Sequence, residues 1–506
     1  MSRLSIYLLV LTLGAISALA QDPCSTIAGQ TWVSASDVRA CYKALPFNAT
    51  IRDNIVQVVN KTMAFHTSTN YQVQAPAPFE DVHEDIIGTL AWISSQTYTS
   101  DFDLHVDVAT STRRMGDGHS VYVNMCYDNT YTSFVPVPLV LLQNSDGTQG
   151  IYVDPQAYKV FTHDFFRGQP EIWQQALGED VSLESLSGAK VIAIDNDDPW
   201  KAVDATAANA GSYQSFATRQ NSFFGSFVIS ASAWNYVPGL FAQTSLPLKD
   251  SVTLTVQRIN STSSKTITLP FRSRFHENAF AFTDKASFWD KNCRATSSTN
   301  GPSSNTRQDA SAAARFSTQG FRNSTTRLIV NEMMDVNSAP SVPFPSSLRP
   351  PRNNYQAAYD TFAWILEDNK TGLFSNGNWR GGNEISLMVG LMNLVNELPR
   401  RNATRLIIDV SNNQGGLVCS AALLHFYLKG NTSTTSPQAL LPTKFRASPL
   451  AQKIVDNLIS SGKDGWYHPT QWKDAQHRPF SASTNYLREG AEQKTINGRA
   501  DVFSQT

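Results

Sequence analysis

The chain has 506 residues, of which 41% are hydrophobic and 16% are charged. A chain this apolar and this weakly charged is globular rather than disordered, and its length allows roughly two to four domains. The 41 basic residues almost balance the 42 acidic ones, which gives a net charge of -1. Because phosphate binding draws on a basic excess, this balance argues against nucleic acid as the main partner. No block of Lys and Arg resembles a polybasic membrane anchor.

Residues 1–20 have the pattern of a cleaved secretory signal. Arg3 precedes a mostly apolar run that ends in Ala18-Leu19-Ala20, and this order of charge, apolar stretch and small-residue site is typical of such signals. The run is shorter than the roughly 20 residues that span a membrane. We therefore expect a secreted, extracellular glycoprotein without a membrane anchor. The N-x-S/T sequons that support glycosylation are Asn48, Asn60, Asn260, Asn323, Asn369, Asn402 and Asn431.

The cysteines fit disulfides better than a metal site. They are Cys24, Cys41, Cys126, Cys293 and Cys419. No C-x-x-C pair or His/Cys cluster has zinc spacing, and cysteines of exported proteins usually pair with one another. Cys24 and Cys41 flank a short loop and form the best pair, while the odd count leaves one thiol without a partner. Cys419 fits a buried apolar position of a helix.

Residues 35–115 are predicted to be mainly helical. Apolar residues recur on one face at helical spacing until the Gly116-Asp117-Gly118 cluster, which terminates the helix. The recurring residues are Leu104, Val108 and Met115. Residues 120–125 then alternate like a strand. The apolar side of that strand would consist of Val121, Val123 and Met125.

A β-rich region is predicted from about 133 to 272, with one helical piece near 200–210. Short alternating or apolar runs separated by turn residues favour a compact β domain there. Residues 295–325 are rich in Ser, Thr, Asn and Ala, and residues 337–354 are rich in Pro. Both compositions are typical of connectors or surface loops.

A helix, an apolar strand, a glycine turn and a second helix follow, which together predict an α/β layer. The first helix carries a leucine face, the strand is the buried run Leu406–Ile408, the turn spans 411–416, and the second helix begins near Leu417. After about residue 432 the pattern predicts loops. The leucine face consists of Leu387, Leu391, Leu394 and Leu398.

Two places in the sequence could carry chemistry. His119 follows two glycines at the predicted helix-to-strand junction, where an imidazole could point into a cleft and act as a general base. An ordinary surface or core histidine would explain the same position. Gly415 and Gly416 could present backbone N–H groups as an oxyanion hole. A tight turn in which glycine only relieves strain is the alternative.

Several familiar catalytic motifs are missing from the sequence. It contains no G-x-S-x-G nucleophile elbow, no H-E-x-x-H zinc helix, no P-loop and no dinucleotide-binding fingerprint. No carboxylate pair is placed for glycoside hydrolysis, which disfavours a carbohydrate-active enzyme. Asp409, at the end of the apolar strand, fits a structural carboxylate better than an acid or a base.

Four stretches of the sequence are informative when taken together in chain order: CYKALPFN, YTSDFDLHVDVATSTRRMGDGHSVYV, FVPVPLVLL with LSGAKVIAIDNDDPWKAV, and RLIIDVSNNQGG. They resemble the tail-specific (C-terminal processing) serine peptidase family, in its secreted fungal branch akin to chlamydial protease-like activity factor. In that order they are similar to the opening of that branch, its acidic helix with an Asp-Gly-His junction, its PDZ-like insert, and the strand and Gly-Gly turn of its catalytic domain.

The resemblance implies an α/β fold with a helical N-terminal region, a PDZ-like β-rich domain and a truncated crotonase-like ββα catalytic domain. It implies that His119 is the general base and that Gly415 or Gly416 helps form the oxyanion hole. In this branch the nucleophilic serine and an acidic partner lie further on, and neither is recognisable here. Ser420 lacks the required context. We therefore expect the nucleophile to lie beyond Thr506 or to be absent.

The predicted function is that of a secreted serine-type endopeptidase homologue that acts on a peptide or protein and needs no cofactor or metal. Its PDZ-like region would add an extended peptide to a sheet edge. The alternative is a non-catalytic extracellular peptide-binding pseudoprotease. Oligomeric state, substrate and disulfide connectivity stay open. We predict a signal peptide at residues 1–20 and a helical region with the Asp-Gly-His junction at 21–130. A PDZ-like domain would follow at 131–275, a linker at 276–355 and the start of the catalytic domain at 356–506.

Overall fold

The protein is a mixed α/β structure with several sheets, as the sequence predicts. Within the part of the chain that the structure describes, no helix is both long and apolar enough to cross a membrane. The predicted signal at 1–20 and the predicted connectors at 295–325 and 337–354, except Phe344 and Pro345, lie outside that part. The computed structural model describes residues 21–118, 120–128, 130–211, 213–230, 232–276, 279–294, 344–345, 360–379, 384–413, 415–430, 444–463, 465 and 467–505.

Several helices begin at a side chain that caps their free N–H groups. The Ser100 hydroxyl accepts the N–H of Asp103 at 3.2 Å at the start of one helix, and Asp198 accepts the N–H of Trp200 at 2.9 Å before another. The described helices are α1 Pro23–Ile27, α2 Ala35–Lys43, α3 Ala49–Met63, α4 Ile86–Ser95, α5 Asp101–Arg114, α6 Met125–Asp128, α7 Ala157–Phe161, α8 Gln169–Leu177, α9 Pro199–Ala210, α10 Phe216–Ser222, α11 Gly239–Ala242, α12 Lys285–Phe288, α13 Glu384–Arg400, α14 Val418–Lys429 and α15 Pro449–Ser461.

The strands form open sheets in which antiparallel pairing dominates. A five-stranded sheet has the order β10-β9-β5-β4-β3, a four-stranded sheet has the order β1-β11-β2-β8, and a three-stranded sheet has the order β12-β13-β14 with β13 and β14 parallel. The pairs β6-β7 and β15-β16 are hairpins. The described strands are β1 Trp32–Ser34, β2 Tyr131–Phe134, β3 Leu139–Gln143, β4 Gln149–Val153, β5 Lys190–Ile194, β6 Ser226–Ser230, β7 Ala233–Val237, β8 Gln243–Thr244, β9 Ser251–Gln257, β10 Lys265–Pro270, β11 Arg272–Phe275, β12 Thr361–Ile365, β13 Thr371–Asn376, β14 Arg405–Asp409, β15 Glu492–Ile496 and β16 Arg499–Phe503.

The N-terminal helices contain the predicted helix as α5, which ends just before Gly116. Its apolar face is buried against α3 and α4, because Leu104 and Val108 are both 1% exposed or less. Two disulfides are formed, as expected for an oxidising compartment. The Cys24–Cys41 bond confirms the predicted pair, and the Cys126–Cys293 bond joins residues 167 positions apart.

The predicted strand at 120–125 is wrong. Residues 120–124 have no regular secondary structure and Met125–Asp128 forms α6. The side chain of Asn124 explains the difference, because its Oδ1 accepts the N–H of Cys126 at 2.9 Å while its own N–H donates to Asp128 Oδ2 at 2.8 Å. These side-chain bonds take the place of a strand ladder.

The five-stranded sheet contributes to the largest apolar core. Strands β3, β4, β5, β9 and β10 pack with the helices that follow β4, and Trp173 of α8 is fully buried among them. Its indole N–H donates to the carbonyl oxygen of Pro270 at 3.0 Å, so the ring is buried without an unsatisfied donor. The predicted strands of the β-rich region are formed and α9 occupies the predicted helical piece, but the prediction of only one helical piece is wrong, because α7, α8, α10 and α11 also lie in this region.

The three-stranded sheet is covered on one face by α13. The leucine face predicted for that helix is fully formed, with Leu387, Leu391 and Leu394 all at 0% exposure. The prediction of a buried strand at Leu406–Ile408 is wrong in one respect. Strand β14 lies at the edge of the sheet, and Ile407 and Ile408 are 47% and 38% exposed, because within the described residues only β13 pairs with it.

The loops predicted after residue 432 are also partly wrong. Helix α15 and the β15–β16 hairpin form there, and the hairpin turns at Asn497 and Gly498, both with positive φ. Asn-Gly is the strongest local signal for such a turn. The hairpin contacts the segment between α3 and α4, since Asp501 accepts a hydrogen bond from the Asn70 amide at 2.8 Å.

Two surface features bear on export. Cys419 is unpaired but exposed, not buried as expected, because α14 directs its neighbour Ser420 into the core. The sequon asparagines within the described residues are all exposed, as a glycan requires, and the disulfides are compatible with an extracellular protein. Those asparagines are Asn48, Asn60, Asn260, Asn369 and Asn402.

Candidate functional site

The Asp-Gly-His junction is fixed by the close approach of an arginine. Gly116 follows Met115, the C-cap of α5, and has φ 61°, a left-handed conformation that favours glycine. A Cβ at this position would lie 2.9 Å from Nη1 of Arg219 and 3.1 Å from the carbonyl oxygen of Tyr213. Glycine is therefore needed here both for its backbone and for its size.

The carboxylate of Asp117 contacts one residue that precedes the junction in the chain and one that follows it. Its Oδ2 lies 2.8 Å from Nε2 of His66 and accepts the Ser120 hydroxyl at 3.3 Å, and its carbonyl oxygen accepts the Ser120 N–H at 3.0 Å. These contacts tie the loop to the segment that follows α3. The predicted general base, His119, lies between these residues in the chain but outside the described residues.

The Gly-Gly turn is anchored by two asparagines. Asn412 has φ 54°, and its amide donates to the Ser226 hydroxyl at 2.7 Å and to the carbonyl oxygen of Phe227 at 3.0 Å. Asn413 donates to the carbonyl oxygen of Asn376 at 2.8 Å. One asparagine thus holds the turn to the β6–β7 hairpin, and the other holds it to β13.

The two glycines differ in what their N–H groups do. The N–H of Gly415 donates to Oδ1 of Asn413 at 2.8 Å, so it is engaged within the turn. Trp379 pairs with the turn through two backbone hydrogen bonds. Its N–H donates to the carbonyl oxygen of Gly415 at 2.8 Å, and its carbonyl oxygen accepts the N–H of Leu417 at 3.3 Å. This bridge uses neither polar group of Gly416. Of the two glycines, Gly416 is therefore the one whose N–H these bonds leave unused.

Among the described residues near the turn, Asp409 and Ser420 do not supply an acid or a nucleophile. Asp409 accepts the Ser375 hydroxyl at 3.1 Å and the Ser411 N–H at 2.9 Å, as expected of a structural carboxylate. Ser420 is 0% exposed in the first turn of α14, and its hydroxyl has no partner among the described residues. A serine so enclosed has no access to a substrate carbonyl.

Helix α10 contacts both candidate parts of the site. The guanidinium of Arg219 packs on Gly116, forms an ion pair with Asp81 and donates to the carbonyl oxygens of Ala207 and Tyr213, each at 2.8 Å. Two residues later, the amide of Asn221 donates to Oδ1 of Asn412 at 3.1 Å. A displacement of this seven-residue helix would therefore act on the junction and on the Gly-Gly turn together.

A groove of about 710 Å³ lies beside α10 and against strand β3. Its wall is mostly apolar, with amide side chains near the turn. Asn221 and Ser226, which hold Asn412, are also part of this wall, so the groove reaches the anchor of the Gly-Gly turn. Its described lining consists of Val140, Leu141, Leu142, Asp154, Pro155, Gln156, Trp200, Ala217, Gln220, Asn221, Phe224, Gly225, Ser226, Phe227 and Pro345.

Strand β3 directs part of its backbone toward this side. Just before the strand, the carbonyl oxygen of Pro138 accepts the N–H of Asp154, which directly follows β4, at 2.8 Å. The carbonyl oxygen of Leu139 accepts the N–H of Gly225 from outside the sheet at 2.7 Å. Because backbone groups alternate in direction along a strand, Leu141 and Gln143 also direct their N–H and C=O groups outward. The five-stranded sheet thus has a short open edge at β3 among the described residues.

Sequence reasoning missed the residues that position these elements. His66, Arg219, Asn221 and Asn412 act through contacts with residues far away in the chain, so no local spacing could reveal them. Within the described residues, no group of three or more His, Cys, Asp or Glu is arranged to hold a metal ion.

Comparisons with known proteins find only distant structural likeness. No protein-family model and no curated protein matches the chain. Two similar solved structures are those of mature CPAF, a chlamydial serine protease: a complex with lactacystin (10% identity, TM-score 0.39) and a crystal structure of mature CPAF (12% identity, TM-score 0.37). They cover 75% of this chain, which in turn spans 59% and 58% of those chains. At such values the likeness carries no argument about the site.

Proposed function

We propose that this chain is a secreted serine-type endopeptidase homologue that binds an extended polypeptide in the groove beside β3. The observation that carries the proposal is the position of α10, which touches the Asp-Gly-His junction through Arg219 and the Gly-Gly turn through Asn221. One element thereby couples a candidate base to a candidate oxyanion site, and the groove lies along the same helix.

In the proposed reaction His119 accepts the proton of a serine hydroxyl while the serine oxygen attacks the peptide carbonyl carbon. The negative charge that develops on the carbonyl oxygen is stabilised by the N–H of Gly416, with Gly415 contributing only if it exchanges its bond to Asn413. The imidazolium then returns the proton to the leaving amine. The serine itself is not assigned, because Ser420 is enclosed.

The contacts of Asp117 support a positioning role beside the base. Asp117 lies two residues before His119 and is fixed by His66 and Ser120. A carboxylate held in this way limits the conformations of the loop that carries the imidazole, and such preorganisation favours proton transfer.

A fluorophosphonate probe tests the proposal on the full secreted gene product. We expect one labelled serine, located by mass spectrometry, whose labelling falls at least about a hundredfold in His119→Ala, in the range that general-base removal costs. The matched control is His425→Ala, an exposed histidine of α14, which should label like the parent. A covalent adduct that survives His119→Ala would contradict the assigned base.

The alternative, a peptide-binding pseudoprotease, is favoured by one observation, that the N–H of Gly415 is already engaged. It predicts peptide binding without any covalent adduct. Binding with no labelled serine would therefore replace the endopeptidase proposal with this one.

A further inference from the structure

The C-terminal part of the chain has a small apolar core, which one residue from the N-terminal region joins. We call the described residues from 444 to 505 the C-terminal unit. Val455, Tyr486 and Leu487 of this unit are each 0% exposed, and Phe65 packs against them. Phe65 belongs to residues 64–85, which connect α3 to α4 and are called the α3–α4 segment below. The C-terminal unit and this segment therefore share buried apolar surface.

Hydrogen bonds from the C-terminal unit fix the start of the α3–α4 segment. Arg446 donates from Nη1 to the carbonyl oxygen of Met63 at 3.1 Å and from Nε to Asp501 at 2.9 Å. Asp501, which is 7% exposed, accepts the amide of Asn70, which is 4% exposed, at 2.8 Å. The Asn497 amide donates to the carbonyl oxygen of Asn70 at 2.8 Å. Because breaking such bonds would leave buried polar groups unsatisfied, they hold the segment in one place.

An ion pair attaches the end of the same segment to the β15–β16 hairpin. Arg499 of β16 pairs with Asp85 through both of its terminal nitrogens, and the bond from Nη1 to Oδ1 is 2.8 Å long. Asp85 also caps α4 by accepting the N–H of Gly88 at 2.9 Å. The bond to Arg499 is the main reason that the pKa of Asp85 is lowered. The hairpin thus contacts both ends of the α3–α4 segment.

The α3–α4 segment also contacts the Asp-Gly-His junction. Nε2 of His66 lies 2.8 Å from Oδ2 of Asp117. Asp81 forms an ion pair with Arg219, the residue that packs on Gly116. The C-terminal unit and the junction, which are far apart in the chain, are therefore connected through one segment.

The α3–α4 segment depends on these neighbours for its conformation. Gln72–Gln74 form a single 3-10 turn, and the other residues of the segment adopt turns and irregular backbone. Such a segment opens locally at low cost unless tertiary contacts hold it. Loosening its bonds to the C-terminal unit should therefore release His66 and remove one of the contacts that hold Asp117.

We propose that the C-terminal unit positions the Asp-Gly-His junction through the α3–α4 segment, with His66 as the positioning residue that contacts Asp117. The inference rests on the proposed function, because the position of the junction matters for catalysis only if it carries the base. Asp117 lies two residues before His119, so a carboxylate fixed by His66 restricts the loop from which the imidazole acts. The C-terminal unit thereby affects proton transfer without touching the substrate.

A matched pair of variants tests whether the C-terminal unit acts on the junction. Arg499→Met breaks the ion pair with Asp85, whereas the control Arg488→Met breaks a similar two-pronged pair with Asp456 inside the C-terminal unit. In the full secreted chain, we expect Arg499→Met alone to increase hydrogen exchange at least about tenfold in the α3–α4 segment and in the junction. Unchanged exchange in the junction would overturn the inference.

A double-mutant cycle tests whether the effect passes through His66. We expect Arg499→Met and His66→Ala each to slow labelling by the fluorophosphonate probe at least about threefold, and the double variant to be no slower than His66→Ala alone. His66→Gln, whose amide can still donate to Asp117, should label within about twofold of the parent. Additive losses would overturn the role of His66.

The two measurements separate this inference from the proposed function. Hydrogen exchange does not require catalysis, so a junction that responds to Arg499→Met in a chain without a labelled serine would support the positioning role and reject the endopeptidase proposal. Labelling that depends on His119 but is unaffected by Arg499→Met would overturn the inference and leave the proposed function intact.

Discussion

The five-stranded and three-stranded sheets end in edge strands of opposite character. Strand β3 is bordered by α10 and partly covered by Gly225, and its open backbone groups face a defined groove. Strand β14 has the central apolar run Leu406–Ile408 and yet exposes Ile407 and Ile408 among the described residues. An edge bordered by a helix is suited to selective binding, whereas a flat apolar edge associates without selection.

The contrast between β3 and β14 also shows that the amino-acid composition of a strand does not determine its position in a sheet. The apolar residues of β14 are typical of a strand with neighbours on both sides, and β13 supplies one. The edge position of β14 is decided by pairing and not by its own sequence. Stability should accordingly be concentrated in the five-stranded sheet and its core.

The largest expected effect is a loss of unfolding free energy when the core of the five-stranded sheet is disrupted. Trp173→Ala should lower the free energy of unfolding by about 3–5 kcal/mol, because it removes a fully buried ring from the largest core. Ile407→Ala on the exposed edge of β14 should cost less than about 1 kcal/mol. Urea unfolding followed by circular dichroism measures both. The control is Trp92→Ala, at a 53% exposed position, and equal costs at Trp173 and Ile407 would contradict the comparison.

A smaller loss of stability is expected where the Gly-Gly turn of the three-stranded sheet is held to the β6–β7 hairpin. Asn412→Gly keeps the positive φ but removes the bonds to Ser226, Phe227 and Asn221, and should cost about 1–2 kcal/mol. Asn412→Ala should cost about 1 kcal/mol more, because alanine disfavours this backbone conformation. Hydrogen exchange should then increase in β6–β7 and in the Gly-Gly turn. An unchanged exchange rate there would show that the anchor is not needed.

The smallest expected effect is a loss of stability at acid pH in the β12–β13 turn of the three-stranded sheet, for which a turn of the five-stranded sheet serves as the comparison. The Thr371 hydroxyl at 2.6 Å and the N–H groups of Lys370 and Thr371 lower the pKa of Asp368 from 3.8 to about 2. Because this pKa is lowered by folding, the ionised carboxylate stabilises the β12–β13 turn above about pH 3.8, and that stabilisation is lost as the pH falls toward 2.

Carboxyl NMR titration measures this shift directly. Asp146, in the β3–β4 turn, provides the comparison, since the Thr148 hydroxyl and N–H lower its pKa in the same way. Asp368→Asn should remove the acid dependence of the β12–β13 turn and leave that of the β3–β4 turn unchanged. Titration of Asp368 at its ordinary value would refute the assignment.

Much of the local architecture was predictable, because it depends on short-range periodicity. The buried face of Leu104 and Val108 and the leucine face of α13 follow from helical spacing alone. The Asn497-Gly498 turn carried an equally local signal that the expectation of loops overlooked. The exposure of Ile407 could not be predicted, since strand order depends on partners that no local pattern identifies.

The candidate site was predictable only in part. The glycines stand out in the sequence, but their anchor does not, because Asn412 and Ser226 lie 186 positions apart. The contact between His66 and Asp117 likewise spans 51 positions. Assignments that depend on His119 stay predictions. The disulfide between Cys24 and Cys41 is confirmed, and it was predictable because the short loop between the two residues limits the possible partners.

The bond between Cys126 and Cys293 has a practical consequence for any study of proteolysis in this protein. It encloses the whole five-stranded sheet, the β6–β7 hairpin and all of the described groove lining except Pro345 within one covalent ring. A single backbone nick inside that ring leaves the two fragments joined, so they migrate as one band until a reductant is added. Self-cleavage in the β-rich part would therefore escape notice on a non-reducing gel.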